Sequence, residues 1–173
     1  MLDKTSERGQ SLIEFALMLP LIFLLIVNAV NFGSYLYAAI TVANAARAGA
    51  EYAVMGVAMA TAPSTPTNAQ VAALVANDII SLPNRASLQV RVCRNTNGVE
   101  TCVCVVGACT GMGTTPADPE NSGAAAALYE LKTVDATYTY QPFIPLWEFP
   151  GLGIRATLPA TTIHRKSVMR LMN

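Results

Sequence analysis

Hydrophobic and polar positions divide this chain unevenly. From Phe15 to Ala46 it reads FALMLPLIFLLIVNAVNFGSYLYAAITVANAA, with no acidic or basic residue between Glu14 and Arg47, and no water-facing stripe can be drawn from Phe15 to Val27. A helix rises about 1.5 Å per residue, so roughly 20 apolar residues cross a hydrocarbon core about 30 Å thick. A lone span in lipid can satisfy its backbone only as a helix. The pattern therefore predicts one long helix over residues 10–60, transmembrane over about 15–38. Its second half keeps a helical rhythm of modest side chains, Ile40, Ala43, Ala46, Ala50 and Val54, until Pro63 and Pro66 stop it. Pro20 predicts a kink, and the amides of Asn28 and Asn31 are candidates for hydrogen bonds to a neighbouring helix.

Beyond the prolines the periodicity changes. Val71, Leu74, Val75, Ile79 and Leu82 form an apolar stripe on a predicted helix Ala69–Ser81, capped by Asn68 and closed by Pro83. Alternation over Leu88–Val92, with Asn97-Gly98 downstream, predicts a hairpin over residues 88–106. Counting outward from that turn sets Cys93 opposite Cys102, and places Val90, Val92, Val103 and Val105 on the face away from the cysteines. Thr110–Ala124 reads as a loop, Tyr129–Tyr140 and Gly153–Leu158 as strands, and Thr161–Leu171 as a last strand or short amphipathic element. Phe143, Leu146, Trp147 and Phe149 suit a small core or the lipid headgroup layer. The expected class is α+β, with a tail over residues 1–9, the long helix, and a domain over 61–173 bearing an antiparallel sheet.

Composition narrows the function. Eleven Lys and Arg balance eleven Asp and Glu, which leaves no basic surface for tracking phosphates, so nucleic acid is not an expected partner. All four cysteines, Cys93, Cys102, Cys104 and Cys109, fall in one stretch beyond the span, which suits disulfides in an oxidising compartment. Four cysteines allow three connectivities, and the hairpin register favours Cys93 with Cys102, leaving Cys104 with Cys109. Zinc is the rival use, but only Cys104 and Cys109 have knuckle spacing, so no metal and no cofactor are expected. A single histidine, His164, sits in a basic tract and reads as a solvated surface residue. With no motif for nucleophile, base or metal, an enzyme is not expected. Glu14 is the anomaly: a carboxylate at the edge of hydrocarbon is either functional, or a helix-terminal residue that faces water and favours the positive end of the dipole. Lys4 and Arg8 before the span favour a cytoplasmic N-terminus and an exported domain. A cleaved secretory signal is the alternative for the segment as a whole, since small-x-small triplets follow Ser34.

The stretch GQSLIEFALMLP, Gly9 to Pro20, followed by LIFLLIVNAVNFG, resembles the TadE-like family, minor pseudopilins of the Tad/Flp tight-adherence pilus. The tail YTYQPFIPLWEFPGLGI, then TIHRKSVMR with its Met169-Arg170 pair, is similar to that family's closing pattern. The resemblance implies a pilin-like protein of the bacterial inner membrane with a periplasmic or extracellular domain. It implies cleavage by a prepilin peptidase between Gly9 and Gln10, with Glu14-Phe15 as the accompanying Glu-Phe pair. It also implies other Tad/Flp pilins and pseudopilins, an inner-membrane assembly platform and the lipid bilayer as partners. Subunit assembly would fall to Glu14 and Phe15, helped by Asn28 and Asn31. The alternative of another class is a membrane-anchored extracytoplasmic binding module that keeps its tail and never joins a pilus. On the residues alone, the helix should begin just beyond Gly9, which a peptidase would need in extended form.

Overall fold

The structure, a computed structural model, describes residues 7–55, 65–96, 99–113, 129–144 and 156–172. Helix α1, Glu7–Met55, precedes α2, Asn68–Asp78, and a 3-10 turn at Arg85–Ser87. Four strands follow: β1 Gln89–Thr96, β2 Val99–Val106, β3 Tyr129–Tyr140 and β4 Thr161–Met172. They form one antiparallel sheet in the order β2-β1-β3-β4. A long apolar helix followed by a small antiparallel sheet is the α+β architecture the pattern predicts. The chain divides into two compact units, Met1–Leu36 with Pro142–Ala160, and Tyr37–Gln141 with Thr161–Asn173.

In the sheet-bearing unit, the later part of α1 buries small side chains. Ala38, Ala39, Val42, Ala45, Ala46, Ala50 and Ala53 are buried, a face that recurs every three to four residues. Gly49 marks the tightest approach, because a Cβ there would stand 2.6 Å from Cγ2 of Val75 and 3.4 Å from Cγ1 of Val134. The small residues thus let α1 come against α2 and β3 together. Ile40, expected on the apolar rhythm, is 60% exposed, since the packed face selects small side chains and turns the larger one outward.

Helix α2 carries its stripe as expected, with Val71, Val75, Ile79 and Leu82 buried and Leu74 half-buried. Its cap is Thr67 rather than Asn68. The Thr67 hydroxyl accepts from the Gln70 N–H at 3.3 Å and the Gln70 side chain accepts from the Thr67 N–H at 2.9 Å, a reciprocal box that satisfies two end donors. The helix stops at Asp78, short of the expected Ser81, and Asn84 then fastens the connection to β3. Its Nδ2 donates to the Thr139 carbonyl at 2.8 Å and its N–H to the Tyr138 hydroxyl at 3.3 Å. Tyr138 is fully buried, and that burial pushes its phenol above the ordinary value; the Asn84 N–H pulls the other way and Tyr140 adds to the rise.

The hairpin has the expected register around its turn, Thr96 to Val99 and Cys93 to Cys102, with positions 97–98 outside the described residues. A shift between Val90 and Arg91 pairs Val90 with Val106, so Val105 leaves the face it was expected to share with Val90. Cys93, expected on the face opposite the valines, is buried as are Val90 and Val92, whereas Val103 on the edge strand, expected on the apolar face, is half exposed. Position in the sheet decides this, because β1 lies between two strands and β2 has one neighbour. Residues 156–158, expected in a strand, have none; residues 153–155, Leu146, Trp147, Phe149 and most of the Thr110–Ala124 loop lie outside the described residues.

Candidate assembly surface on the long helix

The first part of α1 inverts the usual arrangement of a helix in a globular protein. Leu12, Ile13, Phe15, Leu17, Met18, Leu19, Leu21, Ile22, Phe23, Leu24, Leu25 and Ile26 are all exposed. Such a surface calls for an apolar surrounding. Helix α1 is long and apolar enough to cross a membrane, which agrees with a membrane anchor.

The residues singled out from the sequence fall into two places along it. Gly9 and Gln10 lie inside the helix, which begins at Glu7 rather than beyond Gly9. One glycine costs a helix about 1 kcal/mol, too little to stop one continued for many turns. Both are exposed, as are Glu14 and Phe15, and Gln10 Nε2 donates to Glu14 Oε1 at 3.4 Å across one turn. Pro20 is accommodated within α1.

Asn28 and Asn31 lie roughly 21 Å further along, at about 1.5 Å per residue from Glu14 to Asn28. Both are engaged by their own chain. Asn31 has no exposed area; its Nδ2 donates to the Ile144 carbonyl at 3.2 Å and its Oδ1 accepts the Ile144 N–H at 3.1 Å. Asn28 Nδ2 reaches the Leu24 carbonyl at 3.0 Å and that of Ala156 at 2.8 Å. These amides therefore hold the backbone of Ile144 and Ala156 to α1 within one unit.

The cysteines pair as Cys93–Cys102, with Cα atoms 4.0 Å apart, and Cys104–Cys109, 5.8 Å apart. Glu100 lies close to the Cys93 and Cys102 sulfurs, but both are consumed in the disulfide and offer no thiolate to a metal. Sequence reasoning missed a buried ionic cluster. Asp135, fully buried, accepts from Arg91 Nη2 at 2.5 Å and Nε at 3.2 Å, and Arg91 Nη2 also donates to the carbonyls of Met112 and Gly113 at 2.7 Å. His164 is exposed, as read from the sequence, and also stands with Nε2 3.4 Å from the other Asp135 oxygen. Glu130 likewise sits buried between Arg94 and Lys132. A carboxylate set between Val134 and Ala136, Asp135, was the available signal; its partners come from other strands. The cluster ties three strands together and, among the described residues, brings no nucleophile into line with His164.

No curated protein and no solved structure matches the chain. A family model does, and residues 9–51, covering the exposed apolar surface, Glu14 and both asparagines, match that of the TadE-like protein, the family the N-terminal sequence resembles.

Proposed function

We propose that the protein is a minor pseudopilin of a Tad/Flp-type pilus, a non-enzymatic subunit that takes part in pilus biogenesis and surface adherence from the bacterial inner membrane. The observation that carries this reading is the coincidence, on one helix, of the TadE-like match over residues 9–51 with an apolar exterior bearing one carboxylate, Glu14. In this reading the N-terminus is cytoplasmic, the sheet-bearing unit is exported, and its disulfides form there. A prepilin peptidase removes residues 1–9, and the new α-amino group at Gln10 supplies a positive charge within reach of Glu14, on its own subunit or a neighbour. In the uncut chain Gln10 already bonds Glu14 with a neutral amide, which the charged amine would strengthen or replace. Because Gly9 lies in the first turns of α1, cutting requires those turns to open, and terminal turns open at little cost. Other pilins, the assembly platform and the bilayer are the partners.

Intact mass and N-terminal residue of the membrane-extracted protein test the reading. Wild-type protein is expected to begin at Gln10, and Gly9→Val protein to retain residues 1–9 while still inserting. A wild type that begins at Met1 would defeat the processing step and favour an anchored binding module.

A further inference from the structure

We infer that the Cys104–Cys109 disulfide is an exchange site for a dithiol partner, and that opening it releases the turn at 107–113 from Arg91, which makes it a reducible latch on the sheet-bearing unit. The inference does not depend on the pilus reading. Cys104 on β2 is the cross-strand partner of Arg91 on β1, and its bond to Cys109 closes the start of the turn beside that arginine. The turn ends at Met112 and Gly113, whose carbonyls each accept from Arg91 Nη2 at 2.7 Å, and the same guanidinium holds the buried carboxylate of Asp135. Met112 is buried, although Thr110, Gly111 and Gly113 around it are exposed. Alternate residues of the turn, Gly107, Cys109, Gly111 and Gly113, have positive φ, and among the described residues Cys109, at φ 50°, is the one that is not glycine. A residue with a Cβ is held there against its own preference, so the tethers impose the turn's shape.

The two disulfides differ in what leaves when they are attacked. Cys102 and Cys104 are both exposed, so an incoming thiolate reaches one sulfur of either bond. Attack at Cys102 expels Cys93, 1% exposed on the central strand β1, as a thiolate in a buried position where its charge is costly. Attack at Cys104 expels Cys109, which is half-buried in a turn and meets water. Exchange therefore favours Cys104. In the first step a thiolate of the dithiol bonds to Cys104 Sγ, the bond to Cys109 breaks, and Cys109 leaves with the electron pair and takes up the proton that the attacking thiol released. In the second, the dithiol's other sulfur gives up its proton and bonds to the first, and Cys104 leaves as a thiolate that takes that proton. The protein gains two thiols and the dithiol departs as a disulfide. Cys109 is then free to leave the left-handed region, and the turn keeps only its carbonyl bonds to Arg91.

Buried Met112 supplies the reporter. Full-length protein in detergent is treated with dithiothreitol without denaturant, freed thiols are alkylated over time, the reductant is removed, and a short pulse of hydrogen peroxide precedes peptide mass mapping. Met55, exposed at the end of α1, is the internal standard for oxidation. Cys104 and Cys109 are expected to be alkylated about tenfold faster than Cys93 and Cys102. In the opened molecules, oxidation of Met112 relative to Met55 is expected to rise about fivefold. Cys104→Ser/Cys109→Ser protein is expected to show the raised Met112 reactivity with neither reductant nor alkylation. Opening of Cys93–Cys102 first or at an equal rate, or no opening of either bond, overturns the exchange site. Opening of Cys104–Cys109 with Met112 still protected overturns the latch. The wild-type measurement decides even if the double variant fails to fold.

Discussion

The two units handle apolar and charged groups in opposite ways. In the unit built on the first part of α1, the large side chains from Leu12 to Ile26 face outward, and the groups turned inward include an amide, Asn31. In the sheet-bearing unit the same helix buries alanines and Gly49, the core is Val, Ile and Tyr, and two carboxylates, Asp135 and Glu130, are buried and paired with cations. One continuous helix runs through both, so helix formation does not separate them. The difference is the intended surrounding. A lipid-facing helix has no reason to hide leucines, because hydrocarbon is as apolar as they are. A helix packed against a sheet in water must hide what it can, and close approach favours small residues.

Substitutions that are equal on paper should therefore have unequal effects in the two units, and the widest gap is expected at Asp135. Asp135→Ala leaves Arg91 in a largely buried position without its carboxylate, and should cost about 3 kcal/mol of the sheet-bearing unit's stability. Leu19→Ala, on the outward surface, should change that unit by less than about 0.5 kcal/mol. Denaturant unfolding in detergent, followed by near-UV dichroism, measures both; equal effects would erase the contrast.

Gly49→Leu should come next, at roughly 1–3 kcal/mol, because its first added carbon already meets Val75. Gly33 has nothing within 4 Å of its Cβ position, and Gly33→Leu should leave the same unfolding midpoint unmoved.

The smallest effect concerns Tyr138. Its phenol is held above the ordinary value by burial, so the stability this contributes is intact below about pH 10 and is lost as the pH rises through the folded-state value. Tyr138→Phe should cost about 1 kcal/mol at neutral pH, by removing the acceptor for the Asn84 N–H. It should also flatten the alkaline fall in stability relative to wild type. Parallel slopes of unfolding free energy between pH 9 and 11 would show that the phenol does not contribute.

Much of this was legible in the residues. The absence of charge from Phe15 to Ala46 specified the long helix, the Val71 to Leu82 stripe specified α2, and Asn97-Gly98 set the register that pairs Cys93 with Cys102. Each is a local signal, read over one turn or one strand. Thr67 took the cap from Asn68 because Gln70 stands where it can reciprocate, which was also local but needed both halves of the box to be noticed.

What the sequence by itself determined is which segments become helix or strand, and that the first of them needs an apolar surrounding, because periodicity and the cost of unpaired backbone in lipid act along the chain. Only the tertiary structure decided what each amide and carboxylate meets. Asn31 finds Ile144, and Asp135 finds Arg91 and His164, across separations at which pattern carries no information. Along β1, Val90 and Val92 on one face and Cys93 and Asn95 on the other are buried, and no simple alternation in the sequence records this. A polar side chain in an apolar run declares that it needs a partner; folding alone determines whether that partner is its own backbone, an opposite charge or another subunit.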